Sequence, residues 1–151
     1  MIKSRDFREF IQLLNEHEIE YLIVGGYAVA LYGYPRFTGD LDVWIRASIL
    51  NAERIMTALR KFGFESLKIS ESDFTTPDSI VQLGYPPVRI DILTSLDGVE
   101  FESCFASRHR VVFEGLPINF ISIADLKLNK EASGRTRDID DLENLSEIRS
   151  Q

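Results

Sequence analysis

Two aspartates, Asp40 and Asp42, stand one residue apart in a stretch, residues 38–45, where polar and apolar side chains alternate. A period of two marks a strand, so both carboxylates leave one face while Leu41 and Val43 leave the other. At a rise of ~3.3 Å per residue their backbones lie roughly 6 to 7 Å apart, close enough for the side chains to converge on one cation. Unpaired, the two charges repel, and a hard ion such as Mg²⁺ neutralises them, most readily when phosphate oxygens complete its octahedral shell. A solvent-facing sheet edge with incidental acids reads the same way, so the pair alone decides little.

A third carboxylate changes the balance. Arg89-Ile-Asp-Ile-Leu93 repeats the alternation, with Ile90 and Ile92 on the core side and Asp91 facing outward beside Arg89. On a neighbouring strand, Asp91 completes a site able to hold two metals ~3.5 to 4 Å apart, an arrangement that stabilises the attacking and leaving oxygens of phosphoryl transfer. It can also draw the proton from an incoming hydroxyl. Upstream, Gly25-Gly26 separates the strand-forming run Tyr21-Leu-Ile-Val24 from the helix-forming run Tyr27-Ala-Val-Ala-Leu31. Backbone N–H groups at such a turn attract phosphate, although a tight turn needs the same glycines. Gly26 precedes Asp40 by fourteen residues, and Arg36 and Thr38 lie just before that acid. Arg36 suits a triphosphate as a bidentate donor, or is simply a surface cation.

These groups need elements to position them. Phe7, Phe10, Ile11 and Leu14 predict an amphipathic helix ending near His17, and Ile55, Leu59 and Phe62 predict a second over residues 50–62, capped by Gly63. Apolar runs at residues 79–83, 88–93, 110–113 and 118–120 read as strands separated by Gly and Pro turns. Ser122-Ile-Ala-Asp125 has the form of a capping box opening a helix that Gly134 ends, and Thr136 is placed to cap a last helix carrying Ile139, Leu142, Leu145 and Ile148. The expected fold class is α+β, a mixed β-sheet with helices packed against it, here covering one face. Strand order does not follow from these patterns.

Bulk properties narrow the function. The length of 151 residues suits one domain, and 44% hydrophobic residues suffice for a core. Seventeen basic against twenty-four acidic residues leave a net charge of −7, which disfavours long polyanions unless Lys127, Lys130, Arg135 and Arg137 form a local patch. Cys104 stands alone, excluding an internal disulfide and reading as a buried small hydrophobe. The charged N-terminus and the short, Gly-rich apolar stretch of residues 21–34 point to a cytoplasmic chain with no membrane partner. His17 and His109 have no acid or nucleophile beside them and read as structural or surface residues, and Tyr34, Trp44 and Tyr85 read as core packing sooner than as a stacking platform for a base.

Val24-Gly-Gly-Tyr-Ala-Val-Ala30, Arg36-Phe-Thr-Gly-Asp-Leu-Asp42 and Arg89-Ile-Asp-Ile-Leu93 together resemble the motif set of the polymerase-β-like nucleotidyltransferase superfamily. The ending, Ile123-Ala-Asp-Leu-Lys-Leu-Asn-Lys-Glu-Ala-Ser-Gly-Arg135 followed by Asp138-Ile-Asp-Asp-Leu142, is similar more narrowly to AbiEii-like nucleotidyltransferases of type IV toxin-antitoxin systems. The resemblance implies one nucleotidyltransferase domain over residues 1–151. It would transfer a nucleoside monophosphate from an NTP to a hydroxyl, with pyrophosphate leaving. It further implies Gly25 and Gly26 at the triphosphate, Asp40, Asp42 and Asp91 on two Mg²⁺ ions, Lys130 reaching the phosphates, and Asp138 as a functional acid beside it. From the residues alone, Lys130 is one of two lysines near a helix end and Asp138 one of three acids in a helix's first turn, both favoured by the helix dipole without any ligand. The acceptor is left open among an RNA end such as that of a tRNA, a protein hydroxyl and a small molecule such as an antibiotic, and the narrower resemblance brings in a toxin with an antitoxin partner. The chain lacks the sizeable C-terminal helical domain of larger toxins. An inactive, regulatory nucleotide-binding protein of the same fold is the main rival, and a metal-dependent phosphodiesterase the third reading.

Overall fold

Ser4 opens the first helix, α1 (Arg5–Glu16), its hydroxyl accepting the Phe7 N–H at 3.4 Å. In this computed structural model, which describes residue 2 and residues 4–33, 39–64, 68–85 and 87–149, the helix buries Phe7, Phe10, Ile11 and Leu14, the predicted stripe. Strand β1 (Tyr21–Val24) is buried along its whole length and runs directly into α2 (Gly25–Leu31), which begins at Gly25 itself. Strand β2 is Asp40–Ile45, and α3 (Ile49–Phe62) starts on the Ser48 hydroxyl and stops at Gly63, whose φ of +100° lies in the left-handed region open to glycine. A turn of 3₁₀ helix, Glu71–Phe74, precedes the hairpin of β3 (Ile80–Tyr85) and β4 (Val88–Leu93). Then follow α4 (Phe101–Ala106), β5 (His109–Phe113), β6 (Leu116–Phe120), α5 (Ile123–Ser133) and α6 (Thr136–Arg149).

The strands form one sheet in the order β3-β4-β2-β1-β6-β5. Pairs β2–β4 and β1–β6 are parallel and the remainder antiparallel, so the sheet is mixed, as expected. Paired residues share a face. Leu41, Val43, Ile90, Ile92, Ile23 and Phe120 therefore make one apolar face, all of them buried. Helices α1 and α3 lie against each other at this core, where Phe10 meets Phe62 edge-on with centroids 5.3 Å apart. The Tyr21 hydroxyl donates to Asn15 of α1 at 2.8 Å, and burial pushes its pKa up to about 12.

Helices cover both faces of the sheet, where the alternation suggested only one. Trp44 projects to the same side as Asp40 and Asp42, and Phe101 of α4 closes over it edge-on at 5.1 Å. Without that lid the indole, flanked on this face by Leu22 and Leu93, would expose a large apolar surface. Helix α4 was not anticipated because six residues are too few to show a period. Its one signal is the spacing of Phe101 and Phe105, whose rings stack 5.3 Å apart while the Arg46 guanidinium lies over both and pairs with Glu20 and Glu102.

The last two helices depart from the pattern in an instructive way. Ser122 caps α5, accepting the Asp125 N–H at 3.1 Å, but the Asp125 carboxylate accepts the Ser107 hydroxyl at 2.7 Å instead of turning back on the cap. On α6 the expected apolar stripe is realised in part: Leu145 is buried but Ile139 is 46% exposed, Asp138 and Asp141 face inward, and the Ile148 side chain lies outside the described residues. Two acids are turned inward because α5 presents a buried lysine to them.

Candidate active site

Three carboxylates converge because of register. Asp42 on β2 pairs with Val24 on β1 and with Asp91 on β4, while Asp40 pairs with Arg89, so Asp40 and Asp42 on β2 and Asp91 on the adjacent β4 share one face. They open into a cleft of about 600 Å³ whose lining also includes Gly25, Gly26, Gln82, Lys130, Ser133, Arg135 and Asp138. The wall formed by α5 is seated by the Asp97-Gly98 turn: Asn129 donates to the Asp97 carbonyl at 3.0 Å, and Gly98, at φ +78°, lies so near α5 that a Cβ there would sit 2.4 Å from the Ala132 Cβ.

Asp42 occupies the most demanding place. Burial, with repulsion from Asp91 and then Asp40, pushes its carboxyl up to about 7, against weaker attraction from Lys130 and Arg89. Gly25 is what lets it fit. Its φ is +69°, and a Cβ there would stand 2.2 Å from Asp42 Oδ2. The glycine is therefore required by its backbone conformation and by the acid pressed against it.

Arg89 supplies the cation on this floor. Its Nε and Nη2 donate to the two oxygens of Asp91, both at 2.9 Å, and its Nη1 lies 3.9 Å from Asp40 Oδ2. Among the described residues no group of three or more His, Cys, Asp or Glu is arranged to hold an ion. The donor set itself suits a hard divalent cation: oxygen ligands only, one of them a carboxyl whose ionisation burial and then the neighbouring acids oppose and that an ion's charge would relieve.

Lys130 lies in the wall of the cleft, 4% exposed, and its amine donates to Asp138 at 2.8 Å and stands 3.2 Å from Asp141. Asp138 also accepts from Ser133 Oγ at 2.5 Å and from Arg135 Nε at 2.6 Å. Burial raises the Asp138 carboxyl, but the hydrogen bonds from Lys130, Ser133 and Arg135 outweigh it and bring it down to about 2. A carboxyl held below its ordinary value stabilises the fold above pH ~4 and loses that contribution as pH falls toward ~2. Urea unfolding should therefore show Asp138→Asn about 2 kcal/mol less stable than the wild type at pH 7, with the gap closing between pH ~4 and ~2. A gap that persists at pH 2 would place the effect in packing and not in the charge.

The expected residues Gly25, Gly26, Asp40, Asp42, Asp91, Lys130 and Asp138 thus line one cleft. Arg36 and Thr38 lie outside the described residues, as does Tyr34. Trp44 is core, Tyr85 is 86% exposed, and Cys104 is buried, its thiol pushed up to about 12 chiefly by burial and then by Asp125. Lys130, spent on Asp138 and Asp141, does not contribute to a surface basic patch. Sequence patterns passed over three participants: Arg89 as partner of the acids, Ser133, and Asp141. For Asp141 the spacing of three from Asp138 was the available signal.

With this geometry in view, likeness to known proteins is informative. The chain superimposes on the lincomycin-bound lincosamide antibiotic adenylyltransferase LnuA with a TM-score of 0.62 and 17% identity, over 97% of this chain and 98% of that one. It matches a Thermotoga maritima protein assigned as a nucleotidyltransferase (TM-score 0.61, 16% identity, 95% and 89% of the two chains). It also matches an antigenic nucleotidyltransferase-like protein from Paracoccidioides brasiliensis (0.55, 22%, 94% and 76%). At these identities the likeness is one of fold. No curated protein matches the chain. The family model described as "Nucleotidyl transferase of unknown function (DUF2204)" matches residues 3–151, and the chain therefore belongs to that nucleotidyl transferase family.

Proposed function

We propose that this nucleotidyl transferase moves a nucleoside monophosphate from an NTP to a hydroxyl of an acceptor, with divalent metal held by Asp40, Asp42 and Asp91. The observation that carries the reading is a single cleft lined by three carboxylates from the adjacent strands β2 and β4, by Lys130 and by the Gly25-Gly26 turn. Bound there, Mg²⁺ would offset the negative charge of the triphosphate and of the three acids. The chain's own groups divide the remaining work. Gly25 and Gly26 let the triphosphate approach the backbone, and Lys130 neutralises its charge from the wall, fixed in place by Asp138 and Asp141. Arg36 and Thr38 are assigned to the same triphosphate by their position before Asp40. Asp91, beside Asp42 on the adjacent strand, takes the proton of the acceptor hydroxyl as its oxygen bonds to the α-phosphorus and pyrophosphate departs.

The acceptor remains one of three classes: an RNA end, a protein hydroxyl or a small molecule. A role as a toxin with an antitoxin partner is the narrower reading, and it rests on the resemblance of the Lys130-to-Asp138 stretch in the sequence. Incubating the protein with each α-labelled NTP, Mg²⁺ and cell extract, then separating RNA, protein and small metabolites, should move label into one fraction, and chelation should stop it. Absence of transfer and of pyrophosphate release with every NTP would contradict the proposal.

A further inference from the structure

We infer that Arg89 is a built-in counter-ion that occupies the acidic floor in the metal-free protein and must be displaced before a divalent cation can bind, so that it sets the threshold for metal entry. This rests on the metal-dependent reading of the site given above. The geometry is that of a substitute cation. Arg89 grips both oxygens of Asp91 with its planar fork, at 2.9 Å each, and extends a third nitrogen to 3.9 Å from Asp40. One guanidinium thereby holds Asp91 by two hydrogen bonds and lies at ion-pair distance from Asp40, two of the three acids that an ion would need.

The arrangement is fixed by the strand itself. Arg89 and Asp91 are two apart on β4 and share its face, and the register sets Arg89 directly opposite Asp40. Its side chain is 30% exposed, against 11% for Asp91, so the guanidinium has a route into water while the acid stays. A charge that is bidentate yet partly solvated is held firmly enough to compete and loosely enough to leave. Wild-type affinity for a bare divalent ion is accordingly the affinity of the acids less the cost of removing Arg89.

The test is Mn²⁺ binding to the nucleotide-free protein, read from the electron paramagnetic resonance signal of free Mn²⁺, for wild type, Arg89→Gln and Arg89→Lys. Arg89→Gln should bind about tenfold more tightly than wild type, because the competing ion pair is gone while all three acids remain. Arg89→Lys keeps the charge but not the fork and should fall between, roughly threefold tighter. It carries the comparison if the glutamine variant does not fold. Unchanged or weaker binding in the folded variants would overturn the inference while leaving the metal site standing. No Mn²⁺ binding by any of the three would overturn both.

Discussion

Asp42→Asn should lower nucleotidyl transfer by about a thousandfold, the several kcal/mol that the proposed site would lose with a metal's charge stabilisation, and should make the protein in chelator more stable. The two effects have one cause. Asp42 is held against burial and against Asp91 and Asp40, which raise its carboxyl to about 7. Because the folded value lies above the unfolded one, the ionised form opposes folding, fully so above pH ~7, and the opposition fades as pH falls toward ~4. An uncharged amide of the same shape removes it. In chelator at pH 8 the variant should exceed wild type by on the order of 3 kcal/mol in urea unfolding, with the difference shrinking at pH 5. Added Mg²⁺ should stabilise wild type and leave the variant unmoved. A variant less stable than wild type at pH 8 would mean that Asp42 is not the strained group described here.

Gly25→Ala should be as inactive as Asp42→Asn and opposite to it in stability. The new Cβ would stand 2.2 Å from Asp42 Oδ2 and 3.0 Å from its Cγ, at a backbone φ of +69°. Asp42 must rotate away, which removes it from the acid row, and the alanine remains in a conformation that costs about 1 kcal/mol or more. A loss of about 1 to 3 kcal/mol in chelator, with transfer down at least a hundredfold, is the expected outcome. Full activity in Gly25→Ala would show that the close approach of Gly25, at the start of α2, to Asp42 does not matter to the site.

Much of this was legible in the sequence, for a physical reason. Strand alternation is a local property, so the facing of Asp40, Asp42 and Asp91 followed from their neighbours, as did the amphipathic stripes of α1 and α3 and the glycine at the end of α3. Register and strand order are not local. That Asp42 would pair with Asp91, and Asp40 with Arg89, depends on the parallel alignment of β2 and β4 across more than forty residues of chain. Helix α6 shows the other limit. Apolar spacing picked out Ile139, whereas the inward face is set by Asp138 and Asp141, because the buried amine of Lys130 must be neutralised and no period of hydrophobic residues can report that. Helix α4 escaped for want of length, although its two stacked phenylalanines complete the second face of the sheet.

The central claim is that Asp40, Asp42 and Asp91 join metal to nucleotide in the cleft beside Gly25 and Lys130. Isothermal titration of NTP into wild type and Asp42→Asn, each with Mg²⁺ and with chelator, tests it most directly. Wild type should bind NTP at least tenfold more tightly with Mg²⁺ than without, and Asp42→Asn should lose this dependence. Equal NTP affinity in all four titrations would contradict it.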